Sequence, residues 1–355
     1  MKVLFLPGSY TSSSARFRLW QFVEPLEGLG HKVVVRVLTP DRAWTSSLTN
    51  NVIRRIHNYA GTIFRIFNAF WALRDAEGFD VIFINRDRVP QPSVDFLEPW
   101  LAKRNPRLIF AFDDAIHLGP RENKMRKILP YFAWITPGNE YLALFARQVN
   151  SHVTILPLVV DTDYYHPVKE RQPGPIRVGW SGSKGSLQEN LPFIEKTIVK
   201  LAEREEMEFI IISEVQPTLP LPGVKWRYIP WTPQTEVEGL QQIDIGVMPL
   251  DDKPFERGKC GLKAIQYMGV GIPALVSPVG VNQEIVIHGE NGLHCANDEE
   301  WLYYLQLLIK NQDLRQQLGI AGRQHIVDNY SIKAQLPIMI DLFEKLQDVT
   351  IKNNR

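Results

Sequence analysis

Cysteine is nearly missing from this chain. Cys260 and Cys295 are the two in 355 residues, too few for a disulfide framework and in keeping with a reducing compartment. No apolar run reaches the roughly 18–20 residues that a membrane span needs. The opening MKVLFLPGS carries one lysine and an apolar stretch too short for a signal peptide, so it is expected as a buried first strand in a cytoplasmic protein. No His-x-x-x-His or Cys-x-x-Cys pair occurs, and Asp251-Asp252 has no Asp-x-Asp frame, so no metal site is expected. Low-complexity segments and short-period repeats are absent as well. Charge of one sign is lacking overall, with a net of +1, but it is unevenly spread. Residues 1–160 hold 20 Lys and Arg against 13 Asp and Glu, and the remainder 20 against 26. A basic first half suits an acidic surface or a phosphate-bearing partner. Its cations are dispersed and no DNA-binding motif accompanies them, which argues against nucleic acid.

What is present is a soluble globular composition, 45% hydrophobic and 22% charged, at a length that fits two domains. Strand-like runs alternate with helical ones. VLFLPG leads to the helix-like FRLWQFVEPLEGLG and the strand KVVVRVL, with further strands expected at DVIFIN, RLIFAF, WITPG and VTILPL. Around Pro167 to Pro175 the chain reads as a linker. The alternation then restarts with RVGWSG, a helix near 189–204, EFIIIS, KWRYI, DIGVMPL, PALVS and a helical C-terminus. This predicts an α/β protein of two doubly wound parallel sheets, with ligands beyond the carboxyl ends of the strands. The expected divisions are 1–166, 167–330 and a C-terminal helix in 331–355 returning to the first domain.

The segment RGKCGLKAIQYMGVGIP, residues 257–273, is the most informative. Arg257, Lys259 and Lys263 stand among Gly258, Gly261 and Gly269, and a helical pattern follows. A basic, glycine-rich loop feeding a helix N-terminus presents free N–H groups and positive charge to a phosphate. On a helical wheel Lys263, Gln266 and Tyr267 share the face that would meet such a ligand. The alternative is a solvated basic loop before an ordinary helix. Upstream, VGWSGSKGS turns from a strand into a loop where Gly182 and Ser183 let backbone approach a phosphate and Lys184 adds a charge. Alone, it could equally be an ordinary strand-to-helix turn.

MPLDDKPFERGKCGLKAIQYMGVGIPALVSPVG resembles the donor-site signature of family 4 retaining glycosyltransferases, and the similarity runs on through GNEYLALFARQV, LPLVVDTDYYHP, VGWSGS and HGENGL. The resemblance implies the GT-B fold, two Rossmann-like domains facing each other across a cleft, the first for the acceptor and the second for a nucleotide sugar. The family carries two glutamates eight positions apart. Aligning Gly261 with the glycine of its Glu-Pro-Phe-Gly turn puts Gly258 at the first and Gln266 at the second. The first normally contacts the donor sugar, a role left to Glu256 or to backbone; Glu256 could instead be a surface carboxylate pairing with Arg257. The second accepts from ribose hydroxyls, which a glutamine oxygen can still do. A carboxylate restored at 266 is expected to bind at least as well.

In the first half, Asp113 of AFDDAIHL falls where many relatives have a histidine touching the transferred sugar. It could bind sugar hydroxyls or cap the next helix; Asp114 reads as structural and His117 as a packing or surface residue. The loop GSYTSSSARFR, with Gly8 at its start and Arg16 and Arg18 at its end, is used near the acceptor in the family. Arg16 could pair with an acceptor phosphate or only locally, and Arg86 and Arg88, after the strand DVIFIN, could line the cleft or decorate the loop surface. Residues 52–74 form an amphipathic pattern, with Arg54, Arg55, Arg65, Asn58 and Asn68 opposite Ile53, Ile56, Ile63, Phe67, Phe70 and Trp71. The favoured reading packs that stripe on its own sheet, the other lays it on a membrane surface.

The expected function is metal-independent retaining transfer from a nucleoside-diphosphate sugar to a glycan, lipid-linked or small-molecule hydroxyl acceptor, with no cofactor and with peripheral contact at the inner membrane face. Asp113, Arg257 and Lys259 carry the catalytic expectation; Gly182, Ser183, Lys184, Glu256, Gly258, Gly261, Lys263 and Gln266 bind donor; Gly8, Arg16 and Arg86 bind acceptor. The alternatives are a sugar-nucleotide epimerase and a non-catalytic nucleotide-sugar-binding subunit.

Overall fold

The computed structural model describes residues 1–8, 13–37, 51–86, 89, 91, 93–170, 173–218 and 221–347, with side chains in the 51–72 helix described from residue 60. The chain divides into two compact units, Met1–Pro157 with Leu336–Arg355, and Leu158–Gln335. The stretch 158–166, which the sequence reading gave to the first half, therefore packs with the second.

The first unit contains β1 (Lys2–Leu6), α1 (Ser13–Arg18), α2 (Val23–Gly28), β2 (Lys32–Val35), α3 (Asn51–Ala72), β3 (Val81–Asn85), α4 (Leu97–Arg104), β4 (Leu108–Phe112), α5 (Glu122–Ile128), β5 (Trp134–Pro137) and α6 (Glu140–Arg147). Its five strands are parallel in the order β2-β1-β3-β4-β5, with Val3 opposite Val81 and Ile82 opposite Leu108. VIFIN and LIFAF are buried throughout, as continuous apolar strands must be when helices cover both faces. The order reverses between β1 and β3, so the loops leaving these strands open at a switch point.

The second unit contains β6 (Ile176–Ser181), α7 (Lys184–Asn190), α8 (Pro192–Ala202), β7 (Met207–Ser213), β8 (Trp226–Pro230), α9 (Glu236–Gln241), β9 (Ile245–Met248), α10 (Pro254–Arg257), α11 (Leu262–Gly269), β10 (Ala274–Val276), α12 (Asn282–Ile285), β11 (Leu293–His294), α13 (Asp298–Lys310), α14 (Gln312–Asn329) and the start of α15 (Ile332–Gln347). Six parallel strands run β11-β10-β9-β6-β7-β8. Here the order reverses between β6 and β9, where Gly179 faces Gly246. The later part of α15 packs with the first unit, Phe343 meeting Phe83 edge-on at 6.5 Å.

Three elements differ from expectation. VTILPL is not a strand; among its residues Val153 alone makes a bridge, to Ile135. The helix expected near 189–204 forms as α8 but starts a little later, at Pro192, which lacks the N–H that would continue α7 and takes the first turn instead. The 51–72 helix forms, but its stripe is split. Ala69 joins Val89, Val94 and Leu97 in a small core with Ile66 and Phe70 against it, while Ile63, Phe67 and Trp71 are 67%, 67% and 63% exposed. The helix is apolar on more of its circumference than one packed face can cover, so the expectation that the whole stripe packs on the sheet is corrected.

Glycine in β9 brings α11 onto the sheet. A Cβ on Gly246 would lie 2.4 Å from Cγ of Tyr267. The Tyr267 hydroxyl in turn accepts from the Ser181 N–H at 2.8 Å and donates to the Val247 carbonyl at 3.3 Å. Gly246→Ala is expected to lower stability by about 1–3 kcal/mol through overpacking, read as a shift in denaturant midpoint; an unchanged midpoint would show that α11 can withdraw without cost.

Candidate functional site

Chemistry in the second unit gathers where the β6–α7 loop and the β9–α11 segment leave the switch point. Gly261 begins α11 at φ 66°, and a Cβ there would meet Cδ1 of Ile285 at 2.2 Å. Only glycine suits both the left-handed backbone and the contact. No side chain caps the first turn of α11, leaving its N–H groups to other acceptors. Lys263 lies in that turn. Its Nζ donates to Oγ of Ser186 at 2.7 Å and sits 4.9 Å from the Trp180 ring centroid. Gly182 makes the approach possible, since a Cβ on it would strike Trp180 and come within 2.9 Å of Cε of Lys263. Ser183 caps α7 by accepting from the Ser186 N–H at 3.3 Å. Sequence reasoning thus named Gly182, Ser183, Gly261 and Lys263, and the structure brings them together, with Ser186 and Trp180 as members it missed.

Burial pushes the half-buried Lys263 amine down to about 7, and the nearby Lys259 charge pushes the same way. Lys259 is itself half-buried, 5.1 Å from the Phe255 ring. Lys184 is exposed. Arg257 grips Asp252 with a two-pronged ion pair at 2.5 and 2.8 Å. That pair is local to one surface loop, with the Arg257 side chain 48% exposed. Glu256 is buried and Gly258 closes α10; the backbone of Gly280, at φ 55°, lies so near the Arg257 carbonyl that a Cβ would fall 2.6 Å from it.

Gln266 is buried, and its Nε2 donates to the Tyr165 hydroxyl at 3.3 Å. Tyr165 donates to Oε2 of Glu236, whose Oε1 accepts from Nε1 of Trp231 at 2.8 Å. Sequence reasoning had none of these partners. Tyr165 was visible in LPLVVDTDYYHP only as an aromatic of the motif, and nothing in the spacing ties it to a residue 101 positions on.

In the first unit, Asp113 directly follows β4, with its carboxylate buried. Its Oδ1 accepts from Oγ of Ser14 at 2.6 Å and from Nε and Nη2 of Arg86 at 3.1 and 2.9 Å. Arg86 also bonds Asp114, and Asn85 donates to Ser14 at 2.9 Å. Burial works to raise the Asp113 carboxyl, but the Arg86 and Arg18 charges and the Ser14 hydroxyl outweigh it and hold it below the ordinary range. Arg86 has φ 63°, a backbone costing about 1–2 kcal/mol for a residue with a Cβ. Asp113 and Arg86, expected to serve sugar and acceptor separately, are one ion pair. Arg18 is buried and donates to the carbonyls of Thr136 and Leu156 at 2.6 and 2.9 Å. His117 packs, stacked on Phe145 at 4.2 Å. Arg16 lies 5.0 Å from the Phe17 ring and Gly8 is exposed. Arg88 and loop residues 9–12 lie outside the described residues.

The Lys263 amine gives a stability test. Its value in the folded chain is below the ordinary 10.5, so the folded state resists protonation. That cost is full below about pH 7 and fades as pH rises toward 10.5. Lys263→Met removes it, so the variant's gain in melting temperature over the parent is expected to be larger at pH 6 than at pH 9. Equal differences at both values would mean that the amine is charged throughout.

Residues 223–325 match the family described as glycosyl transferases group 1. Three solved structures share the fold over nearly the whole chain: sucrose-phosphate synthase from Thermosynechococcus elongatus, at 14% identity and TM-score 0.73 over 99% of this chain and 100% of that one; a glycosyltransferase from Rickettsia africae, at 11% and 0.71 over 98% and 99%; and HepE from Anabaena in complex with UDP, at 13% and 0.63 over 97% and 100%. No curated protein is similar enough in sequence to match. With the matched domain set in this fold, the chain is a glycosyltransferase of GT-B architecture whose residues 223–325 form a glycosyl transferases group 1 domain.

Proposed function

We propose that the enzyme is a retaining glycosyltransferase that takes a sugar from a nucleoside diphosphate and gives it to a hydroxyl of a lipid-linked glycan acceptor. The observation that carries this reading is Lys263, held at the uncapped start of α11 by Ser186 and Trp180. An amine poised near neutrality becomes fully charged when a diphosphate arrives, because a nearby anion favours its protonated form. Lys263, Lys259 and the free N–H groups of α11 then stabilise the departing diphosphate without a metal ion. As the anomeric C–O bond breaks, the sugar gains oxocarbenium character. The acceptor hydroxyl attacks on the leaving-group face, and its proton passes to a phosphate oxygen there. HepE, crystallised with UDP and with UDP-glucose, makes uridine diphosphate sugars the first donors to try.

Incubation with UDP-, GDP- and ADP-sugars, with and without acceptors, tests the reading. Turnover that needs acceptor supports transfer. Turnover of donor alone would support the epimerase, and binding without turnover the non-catalytic subunit. Lys263→Ala is expected to weaken nucleoside-diphosphate binding by about 1–3 kcal/mol at pH 6.5, and Arg257→Ala by clearly less. Equal losses in calorimetry would return Arg257 to the phosphate site.

The lipid-linked acceptor rests on the exposed row Ile63, Phe67 and Trp71. Residues 51–74 include Arg54, Arg55, Arg65 and Arg74 and no acidic residue, the make-up of a helix that lies on anionic lipid. None of the described helices is long and apolar enough to cross a membrane. Co-sedimentation with anionic vesicles should fall steeply as salt shortens the Debye length below ~8–10 Å, and should be lost in the Phe67→Ser, Trp71→Ser double variant. No binding to anionic vesicles at low salt would leave a soluble acceptor as the reading.

A further inference from the structure

We propose that Tyr165 and Glu236 fix the direction of the Gln266 side-chain amide and thereby make the donor site select ribose over deoxyribose. This rests on Gln266 facing the ribose. A glutamine amide has an accepting and a donating end of nearly the same shape. Either could turn toward a ligand, and only the oxygen accepts from sugar hydroxyls. The selection is made behind the helix. Glu236 is buried and its carboxylate can only accept. It takes the Trp231 Nε1 proton on Oε1 at 2.8 Å and the Tyr165 hydroxyl proton on Oε2. With its proton given to Glu236, the Tyr165 oxygen is left as an acceptor. It takes the Gln266 Nε2 proton at 3.3 Å. The reversed amide would set two accepting oxygens against each other in a buried space, which costs the desolvation of both. Oε1 of Gln266 therefore points away from Tyr165.

The chain also explains why an amide stands at 266. A carboxylate there would meet a tyrosine oxygen whose proton is already committed, and one of two buried carboxylates would have to take up a proton. The expectation that Gln266→Glu binds at least as well is thereby reversed. Exchanging both ends restores order. With Gln at 236, its oxygen accepts from Trp231 and its nitrogen donates to Tyr165, which then donates to Glu at 266. Every donor again has an acceptor.

The test measures how much tighter a nucleoside diphosphate binds than its 2′-deoxy and 3′-deoxy analogues. UDP, ADP and GDP are tried first and the tightest is carried forward; binding of none overturns both the proposal and the donor reading. In the parent the larger ratio is expected to be about tenfold, the size of one hydrogen bond. Glu236→Gln turns the amide and should bring the ratio near one while diphosphate affinity holds. Gln266→Glu should weaken binding of ribonucleotide, and the double exchange should recover the parental ratio, a coupling that a purely structural role would not produce. Tyr165→Phe, which removes the middle of the chain, should also lose selectivity and serves if Glu236→Gln melts early. A parental ratio in Glu236→Gln and Tyr165→Phe, with loss in Gln266→Ala, would overturn the relay and keep Gln266 at the ribose. A parental ratio in Gln266→Ala, or no selectivity in the parent, would remove Gln266 from the ribose altogether.

Discussion

The seating of α11 across the ends of β6 and β9 is the constraint on which the second unit depends. A helix normally stands off a sheet by the depth of its side chains. Here Gly246 supplies none, and Tyr267 fills the space with its hydroxyl threaded between the Ser181 N–H and the Val247 carbonyl. That depth and rotation of α11 put Lys263 on Trp180 and Ser186, and send Gln266 back toward Tyr165. The left-handed turn at Gly261 is what lets the chain enter the helix at that angle without meeting Ile285.

The first unit solves a parallel problem with charge. Its switch point holds Arg86 in a backbone conformation unfavourable to a side-chain-bearing residue, and what holds it is a pair of carboxylates on the next strand's end. Removing Arg86 would strand the buried Asp113 carboxylate, which costs more than the pair gains in forming. Ser14 and Asn85 tie the start of α1 to the same carboxylate. The arrangement fixes the geometry of three loops at once.

Much of this was legible. Strand identity follows from runs such as VIFIN and LIFAF, whose burial on both faces leaves no alternation to misread. The place of Lys263 in the first turn of α11 was visible in the helical wheel because local periodicity sets it. The Arg257 ion pair was harder: nothing about a cation beside glycine in the sequence singles out Asp252, five residues earlier, as its partner. Least legible were contacts set by the crossing of distant segments. Tyr165 to Glu236 and Ser14 to Asp113 span 71 and 99 positions, and no spacing rule reaches that far. The 51–72 helix shows a further limit: amphipathic patterning reveals that an apolar stripe exists, not which part of it the loop before α4 and α4 itself cover.

The depressed amine of Lys263 has a consequence in reactivity rather than recognition. At about 7, a large fraction of this lysine is an unprotonated amine in neutral solution, whereas an ordinary lysine is almost wholly ammonium. It is thus a nucleophile held between Ser186 and the Trp180 ring. An aldehyde would form an imine there in preference to lysines that stay protonated, so the burial that lowers this amine also leaves it open to covalent capture by a small electrophile.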